Sequence, residues 1–415
     1  MAGERGLCYA QSMQDSLSLY IHVPFCRHRC AYCDFNTFAG ISTLIPDYVE
    51  AVCAEINGVA ERVPERMRAH TIFFGGGTPS LLSSAQVEKI LSACGRGFDL
   101  AEDAEITLEA NPGTVSKSWL QKVHQLGVNR MSFGMQSAHP VDLRVLEREH
   151  DALDVIHSVE WSRETGFDNI SLDLIFGIPG QTLERWIGSL DFALRLKPEH
   201  LSLYGLTIEP GTPFEHWIGR GLLEQPDDDH AADMFDYACQ RLEEAGFVHY
   251  EISNWERVDS RGAWYCKHNL QYWQMGAYLG FGAGAHGFAG GIRTANVRGV
   301  RPYIRRIQTG EWTNYPTSPA AESILEIDRW TEMQEMMMVS LRLLEKGVDA
   351  DEFEVRFGVR LHNTFTKQID SLIDTGLLEW TQGERNAIRL TRRGWLLGNR
   401  VFREFIGLPE PRWVV

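Results

Sequence analysis

The chain has 415 residues, of which 44% are hydrophobic and 23% are charged. These are ordinary values for a globular protein, and the length allows one large domain and a smaller one. The formal net charge of −16 disfavours non-specific binding to nucleic acid or to anionic lipid.

No apolar run approaches the roughly 18 residues of a membrane-spanning helix, so we expect no transmembrane segment. A basic stretch followed by an apolar core is missing near residue 1, and we expect no secretory signal. Eight cysteines without regular paired spacing indicate reduced thiols and a cytoplasmic location. Peripheral membrane contact and homodimerisation stay open.

Strand and helix patterns alternate along the first part of the chain, after a lead at 1–16 that we expect to be flexible. The pattern predicts strands at 18–23, 71–74, 104–108, 129–133, 170–175 and 200–206. It predicts helices at 46–62, 84–94, 116–126, 151–166, 183–196 and 227–245. Such alternation is typical of a parallel sheet with outer helices. Six units are fewer than the eight of a closed barrel, so we predict an α/β fold with a partial, TIM-like (βα)6 barrel over 17–250.

Unusual polar or glycine motifs follow these strands. They are the cysteine loop, the glycine run at 75–77, Glu109, Gln136 and Asp173. Function collects at the carboxyl ends of the strands in barrels of this kind, so we expect these residues to converge on one face.

Three cysteines organise the first of these motifs. Cys26, Cys30 and Cys33 are separated by three and then two residues. Three thiolates can bind three irons of a [4Fe–4S] cluster and leave the fourth iron open to a substrate. A zinc knuckle with His22 or His28 as fourth ligand, a redox switch and a disulfide are the alternatives.

The glycine run Gly75-Gly76-Gly77 lets a ligand approach the backbone closely, because none of the three residues has a Cβ. The alternative is a plain strand-to-helix turn, which needs one glycine rather than three in a row.

The second half of the chain divides differently. Residues 251–312 are aromatic and glycine-rich, and we expect them to be irregular; 313–319 predicts a linker. Beyond it we expect a long helix at 321–344, helices at 351–357 and 362–375, strands at 377–380 and 387–390 around Gln382-Gly383-Glu384, and a last helix after Thr391. This is similar to a winged-helix domain over 320–415. With 13 Lys/Arg against 16 Asp/Glu it has no electrostatic footprint for DNA, which favours a packing module or partner platform.

The cysteine spacing, with Tyr32 before the last cysteine, resembles that of the radical-SAM superfamily. The string from Leu19 to Cys26 resembles the branch that contains the oxygen-independent coproporphyrinogen III oxidases and the HemW-type haem chaperones. The resemblance runs over about 17–405. It implies a [4Fe–4S] cluster on Cys26, Cys30 and Cys33, and S-adenosylmethionine (SAM) chelated to the open iron. The implied SAM contacts are Tyr20, Tyr32, Gly76, Gly77, Thr78, Glu109, Gln136, Arg148, Asp173 and Thr207.

The resemblance also separates the two members of this branch. The oxidases have a further cysteine two residues beyond the third, where this chain has Phe35. The motif His268-Asn269-Leu270-Gln271-Tyr272-Trp273 is similar to one linked to haem binding in the HemW branch, which implies haem on His268, Tyr272 and Trp273. Cys266 or His286 would be a second axial ligand. The alternative for His268 is a packed, hydrogen-bonded core histidine.

The resemblance therefore implies a haem chaperone that passes haem to an acceptor, for example a respiratory protein. It also implies a flavodoxin- or ferredoxin-type electron donor and a scaffold able in principle to cleave SAM. The sequence assigns no catalytic residue. The competing hypotheses are a coproporphyrinogen III oxidase, against which Phe35 counts, a class C radical-SAM methyltransferase and a zinc-stabilised interaction protein.

Overall fold

The computed structural model describes residues 17–63, 65–381 and 386–410. The predicted flexible lead at 1–16 and the predicted turn at Gln382-Gly383-Glu384 lie outside this part of the chain.

The strands that the structure describes are β1 (Leu17–Val23), β2 (Phe25–Cys26), β3 (Phe38–Ala39), β4 (Arg68–Gly76), β5 (Asp99–Ala110), β6 (Arg130–Gln136), β7 (Ile170–Phe176), β8 (His200–Gly205), β9 (Phe247–Glu251), β10 (Asn254–Asp259), β11 (Gly262–Ala263), β12 (Tyr278–Phe281), β13 (His286–Ala289), β14 (Ile292–Asn296), β15 (Ala321–Glu326), β16 (Val348–Asp349), β17 (Leu378–Trp380) and β18 (Ala387–Leu390).

The α-helices in the same part of the chain are α1 (Ile45–Ala60), α2 (Ser84–Gly97), α3 (Lys117–Gln125), α4 (Pro140–Val145), α5 (Ala152–Glu164), α6 (Leu183–Arg195), α7 (Pro213–Gly219), α8 (Asp228–Glu244), α9 (Lys267–Trp273), α10 (Val300–Thr309), α11 (Arg329–Ser340), α12 (Ala350–Phe357), α13 (Leu361–Asp374), α14 (Arg392–Leu396) and α15 (Gly398–Arg403).

The predicted parallel barrel is confirmed. The six predicted strands are β1 and β4–β8, which lie side by side in the order β8-β7-β6-β5-β4-β1, and each pairs in parallel with the next. Strand β1 is buried along most of its length, as expected for a parallel strand with helices on one face and a packed interior on the other. The sheet ends in β10 and β11 on one side and in β13, β14 and β15 on the other, so it stays open.

The helices begin where the sequence supplies capping side chains. Ser83 and Asp151 each form a capping box at the start of α2 and α5. Ser116, Thr182 and Asp227 accept a hydrogen bond from a backbone N–H in the first turn of α3, α6 and α8. Such caps satisfy backbone N–H groups that the helix itself leaves without partners.

The prediction that 251–312 is irregular was wrong. This segment holds β10–β14, α9 and α10, and β12 pairs in parallel with β1, so that it adds a seventh parallel strand. The strands are short, and β13 is only four residues long. Their hydrophobic alternation is therefore too brief to be recognised in the sequence.

The prediction of a helix from 321 to 344 was also wrong at its start. Residues Ala321–Glu326 form β15, an antiparallel edge strand on β14, and the helix α11 begins only at Arg329. Most of β15 is exposed, so its partner strand determines its conformation more than its own side chains do.

Two hydrophobic cores organise the molecule. One surrounds the large sheet and extends to Ala320, and the other runs from Trp330 to Phe405 among α11–α15 and the three-stranded sheet β16-β18-β17. The helical C-terminal part and its small sheet agree with the predicted winged-helix-like arrangement. The domain boundaries at 250, 312 and 320 stay a prediction.

The predicted linker at 313–319 has no regular structure, yet it is anchored on the barrel. Glu55, buried in α1, accepts hydrogen bonds from Ser318 Oγ (2.6 Å), Tyr303 Oη (2.7 Å), Asn296 Nδ2 (2.8 Å) and the Gly282 backbone N–H (2.8 Å). One carboxylate thus joins α1 to β14, α10 and the segment that leads to the C-terminal core.

Candidate functional site

The cysteine loop leaves the sheet at the carboxyl end of β1. Cys26 lies in β2, which pairs with β3 beyond the loop, and the Cys33 backbone N–H bonds to Cys30 O at 3.2 Å. The three thiols are free and partly exposed. The loop is therefore closed at its base, and its sulfur atoms are accessible.

Each of the three sulfurs has a polar neighbour from another residue. Thr78 Oγ1 donates to Cys26 Sγ (3.6 Å), Arg148 Nη1 donates to Cys30 Sγ (3.7 Å), and Thr37 Oγ1 lies 3.8 Å from Cys33 Sγ. Burial raises the pKa of Cys26 and Cys33, and the hydrogen bonds oppose this effect. Donors aimed at sulfur stabilise a thiolate, which is the form that binds iron.

Arg148 is held in place by more than the sulfur. Its Nη2 donates to Asn111 Oδ1 at 2.6 Å and to Gly134 O at 2.7 Å. Although burial alone would lower the pKa of Arg148, Tyr32 and Cys30 raise it, so the guanidinium stays charged. It places a positive charge beside the cysteine loop.

The two histidines of the zinc alternative are engaged elsewhere. His22 bonds through Nδ1 to Tyr20 Oη (3.0 Å) and through Nε2 to Asn36 O (2.9 Å), and His28 bonds to Glu147 (3.3 Å). Across 17–63, 65–381 and 386–410, no group of three His, Cys, Asp or Glu side chains could hold a single metal ion.

The glycine run packs tightly against the cysteine loop. A Cβ on Gly77 would lie 2.7 Å from Phe25 O, and one on Gly76, whose φ is +109°, would lie 2.4 Å from the His22 ring. The Gly77 N–H also bonds to Val23 O at 2.9 Å. Packing against the loop is therefore a reason for glycine at Gly76 and Gly77 in addition to the predicted approach of a ligand.

Two carboxyl groups lie near the end of the glycine run. Glu109 Oε2 accepts from the Gly76 N–H at 3.1 Å, and burial together with Asp173 raises the pKa of Glu109 to about 8. Asp173 accepts from Ser132 Oγ at 3.1 Å, and burial raises its pKa too. A positively charged ligand group would stabilise the ionised form of both carboxyls.

Gln136 carries a buried polar atom that the described residues leave unpaired. Its backbone has φ 62°, and its Oε1 is buried without a hydrogen-bond partner among the described residues. A Cβ on Gly134 would lie 2.9 Å from Gln136 Nε2 and 3.2 Å from Arg148 Nη2, so glycine leaves room for both. A buried oxygen without a partner is costly unless a ligand donates to it.

The other predicted SAM contacts are distributed unevenly. Tyr20 is partly buried beside His22, and Thr78 is buried beside Cys26. Tyr32 packs against Phe214 in a small apolar cluster. Thr207 lies in an exposed segment after β8. The structure thus gathers the cysteines with Gly76, Gly77, Thr78, Glu109, Gln136, Arg148 and Asp173, and leaves Thr207 at the margin.

A cavity of about 710 Å³ opens beside this cluster. It is lined by Tyr20, His22, Phe35, Asn36, Gly76, Glu109, Tyr272, Tyr278, Gly284, His286, Ala295, Asn296, Arg298, Glu322 and Ser323. Its volume is within the range of small-molecule and cofactor sites. It lies between the residues that follow the cysteine loop and the strands β12–β15. The sequence did not predict that these parts of the chain lie together.

The predicted haem motif lies on α9. His268 is buried; its Nδ1 bonds to Thr71 Oγ1 (2.7 Å), its Nε2 bonds to Tyr272 Oη (2.8 Å), and its ring stacks on Phe73. Burial lowers the pKa of His268 to about 3. This geometry matches the alternative of a hydrogen-bonded core histidine, and its role as a haem ligand stays a prediction.

The other residues of that motif face in different directions. Tyr272 lines the cavity, whereas Trp273 packs against the C-terminal core, where Arg342 lies 4.8 Å from its ring centroid. Cys266 is buried, and its thiol bonds to Glu105. His286 is exposed at the start of β13 and lines the cavity.

Two residues of the site, Asn111 and Asn36, escaped the sequence analysis, and a third, His22, was predicted only as a zinc ligand. Asn111 bonds to Thr78 Oγ1 at 3.0 Å as well as to Arg148, and Asn36 bonds through Nδ2 to Ala283 O and Arg298 O at 2.9 Å. His22 joins Tyr20 to the loop. Asn111 follows a strand end directly, which was a usable signal, whereas the partners of the Asn36 side chain lie more than 240 residues away.

Family models match two parts of the chain. The model described as the radical SAM superfamily matches residues 20–193, and the HemN C-terminal domain matches residues 327–397. Together they cover most of β1, all of β4–β7 and most of the C-terminal core.

Curated relatives match nearly the whole length. Heme chaperone HemW of Bacillus subtilis is 39% identical over 392 residues, which are 94% of this chain and 99% of that protein. Heme chaperone HemW of Escherichia coli is 37% identical over 87% of this chain and 91% of its own. Radical S-adenosyl methionine domain-containing protein 1, mitochondrial, of Mus musculus is 34% identical over 89% and 83%.

Among solved structures, coproporphyrinogen III oxidase (HemN) from Escherichia coli has the same fold. It superposes with a TM-score of 0.80 over 97% of this chain and 93% of that chain, at 22% sequence identity. Within the described ranges, the structure contains no helix that is both long enough and apolar enough to span a membrane.

Proposed function

Because the chain belongs to the radical SAM superfamily, and within it to the family of the heme chaperone HemW proteins, we propose that it binds haem and passes it to a haem-accepting protein. The observation that carries this proposal is the similarity to those proteins over nearly the full length of both chains. The expected acceptor is a haem protein, for example a respiratory one, and the expected location is the cytoplasm.

The residues at the strand ends fit the cofactors of the superfamily. Cys26, Cys30 and Cys33 would hold a [4Fe–4S] cluster, with Thr78 and Arg148 donating to two of the sulfurs. Bound there, the cluster would supply one electron at low potential to SAM, from a flavodoxin- or ferredoxin-type donor. The site residues orient and shield these groups.

SAM fits the polar residues beside the loop. Its amino group and sulfonium are positive. These charges would favour the ionised form of Glu109 and of the nearby Asp173, whose pKa values are raised by burial. Gln136 Oε1 would gain a hydrogen-bond donor, and Arg148 offers a cation for the SAM carboxylate. The charges of the ligand and of these residues are complementary.

Phe35 favours haem handling over porphyrinogen oxidation. Its side chain is 64% exposed and lines the cavity beside the cysteine loop. An aromatic ring can pack on a porphyrin face, whereas it offers no thiol chemistry.

The test is anaerobic purification and reconstitution of the full chain, followed by haem titration and transfer to an apo-acceptor. We expect about four irons per chain, a Soret band on haem addition and haem in the acceptor. Cys30→Ala should lose iron, whereas Cys53→Ala, which changes a buried cysteine in α1, should keep it. A colourless protein with one zinc would contradict the cluster, and rapid conversion of coproporphyrinogen III would favour the oxidase.

A further inference from the structure

The contacts of His268 argue against this residue as the haem ligand, although its motif resembles one that is linked to haem binding. Both ring nitrogens are hydrogen-bonded, and the ring is enclosed between Phe73 and Tyr272. An iron atom needs one of these nitrogens as a free lone pair. Coordination by His268 would break a buried hydrogen bond and open the packing around α9.

His286 offers what His268 lacks. It is exposed, it lines the cavity, and its ring has no hydrogen-bond partner within the part of the chain that the structure describes. Its backbone is fixed by β-pairing with Ala295, so the side chain projects from a rigid strand.

Arg298 provides a cation at the same cavity. Its side chain is exposed and makes no ion pair with any described residue, while its backbone carbonyl accepts from Asn36. Glu322 also lines the cavity, but it lies 3.9 Å from Arg306, which takes up its charge. Arg298 is therefore the free partner for an acidic group of a ligand.

The remaining wall is aromatic. Phe35, Tyr272 and Tyr278 line the cavity, and Phe35 is the exposed one. A bound haem is held by an axial ligand such as a histidine nitrogen, by apolar or aromatic surfaces against its ring, and by cations beside its propionates. The cavity beside the cysteine loop has one of each.

We propose that the haem cargo sits in this strand-end cavity with His286 as its axial ligand, Phe35 against the porphyrin ring and Arg298 paired with a propionate. The step is coordination only, in which a neutral imidazole nitrogen donates its lone pair to the iron. This inference rests on the proposed haem function and adds the site to it. His268 then acts as a structural residue that supports the cavity wall through Tyr272.

The test compares four variants of the reconstituted full-length protein by anaerobic haem titration and resonance Raman spectroscopy of the bound haem. We expect His286→Ala to weaken haem binding at least tenfold and to remove the iron–histidine signature. Arg298→Gln should weaken binding several-fold with the signature intact. His362→Ala and Arg305→Ala, which change exposed side chains elsewhere, are matched controls. Iron content of each variant reports whether the cysteine loop is still folded.

A fifth variant, His268→Phe, separates the two candidate ligands. We expect it to keep the iron–histidine signature even if its stability falls. Loss of the signature in His268→Phe with normal iron content, or unchanged haem affinity in His286→Ala, would overturn the site. If the unaltered protein binds no haem, the proposed function itself fails; if it binds haem and His286→Ala binds equally well, only this inference fails.

Discussion

At the scale of single residues, Gln136 is the side chain that the fold explains least. It adopts a backbone conformation with φ 62°, and its Oε1 is buried without a partner among the described residues. Both features cost free energy in a protein without ligand. Local features that cost stability are typical of functional sites, so we assign Gln136 to binding.

We expect Gln136→Met to lower SAM affinity about tenfold, equivalent to one lost hydrogen bond of about 1.4 kcal/mol. The unfolding temperature of the SAM-free protein should stay the same or rise, because the deleted oxygen is buried without a partner among the described residues. Gln125→Met, on the exposed side of α3, is the matched control. Isothermal titration and thermal unfolding give the two readouts, and unchanged affinity with a large loss of stability would assign Gln136 to packing.

The sequence predicted the residues of the site better than their interactions. Cysteine spacing and polar residues at strand ends indicated Cys26, Glu109 and Gln136, because strand ends in a parallel sheet share one edge. Nothing in the sequence could tell that His268 has both nitrogens bonded while His286 has neither. That difference depends on Thr71, a residue 197 positions away.

At the scale of elements, the long strand–helix units were predictable and the short strands were not. Strands β4–β8 follow clear hydrophobic runs, and each is followed by a helix with a capping side chain. Strand β12 has only four residues, Tyr278–Phe281, yet it extends the parallel sheet by pairing with β1. Its identity as a strand depends on this pairing.

The contact between β12 and β13 requires glycine at one position. A Cβ on Gly280 would lie 1.9 Å from His286 O, a backbone atom that cannot move away alone. We expect Gly280→Ala to destabilise the protein by about 3 kcal/mol, and to weaken haem binding because β13 carries His286. Urea unfolding and haem titration of the reconstituted protein measure the two effects.

Gly188→Ala is the control for that substitution. Gly188 lies inside α6, and a Cβ there meets no other atom within 4 Å. Alanine should stabilise the helix by about 0.5–1 kcal/mol. Equal stability changes in the two variants would contradict the close approach of β12 and β13.

At the scale of the whole molecule, the C-terminal core packs directly on the barrel. Ser340 Oγ donates to Trp273 O at 2.8 Å, and Glu251 forms an isolated β-bridge with Leu343. The first contact joins α11 to α9, and the second joins the residues just after α11 to the end of β9. The sequence predicted both parts but not this junction, because its partners are far apart in the chain.

His249 lies at another contact between the two parts. Its ring stacks on Trp255 with centroids 3.8 Å apart and meets the edge of Trp395, in α14, at 5.0 Å. Burial lowers the pKa of His249 to about 3, whereas an unfolded histidine has a pKa of about 6.5. Between these values the unfolded chain binds a proton that the folded chain does not. The stabilisation by neutral His249 is thus complete above pH 6.5 and is lost as the pH falls toward 3.

His249→Phe keeps an aromatic ring at this contact and removes the proton. The free energy of unfolding of the unaltered protein, measured relative to this variant, should therefore fall by about 1.4 kcal/mol for each pH unit below 6.5. Urea unfolding of both proteins at pH 7, 6 and 5 measures this difference. A constant difference between the protein and His249→Phe across this range would mean that His249 binds protons equally in the folded and the unfolded chain, which would contradict the lowered pKa.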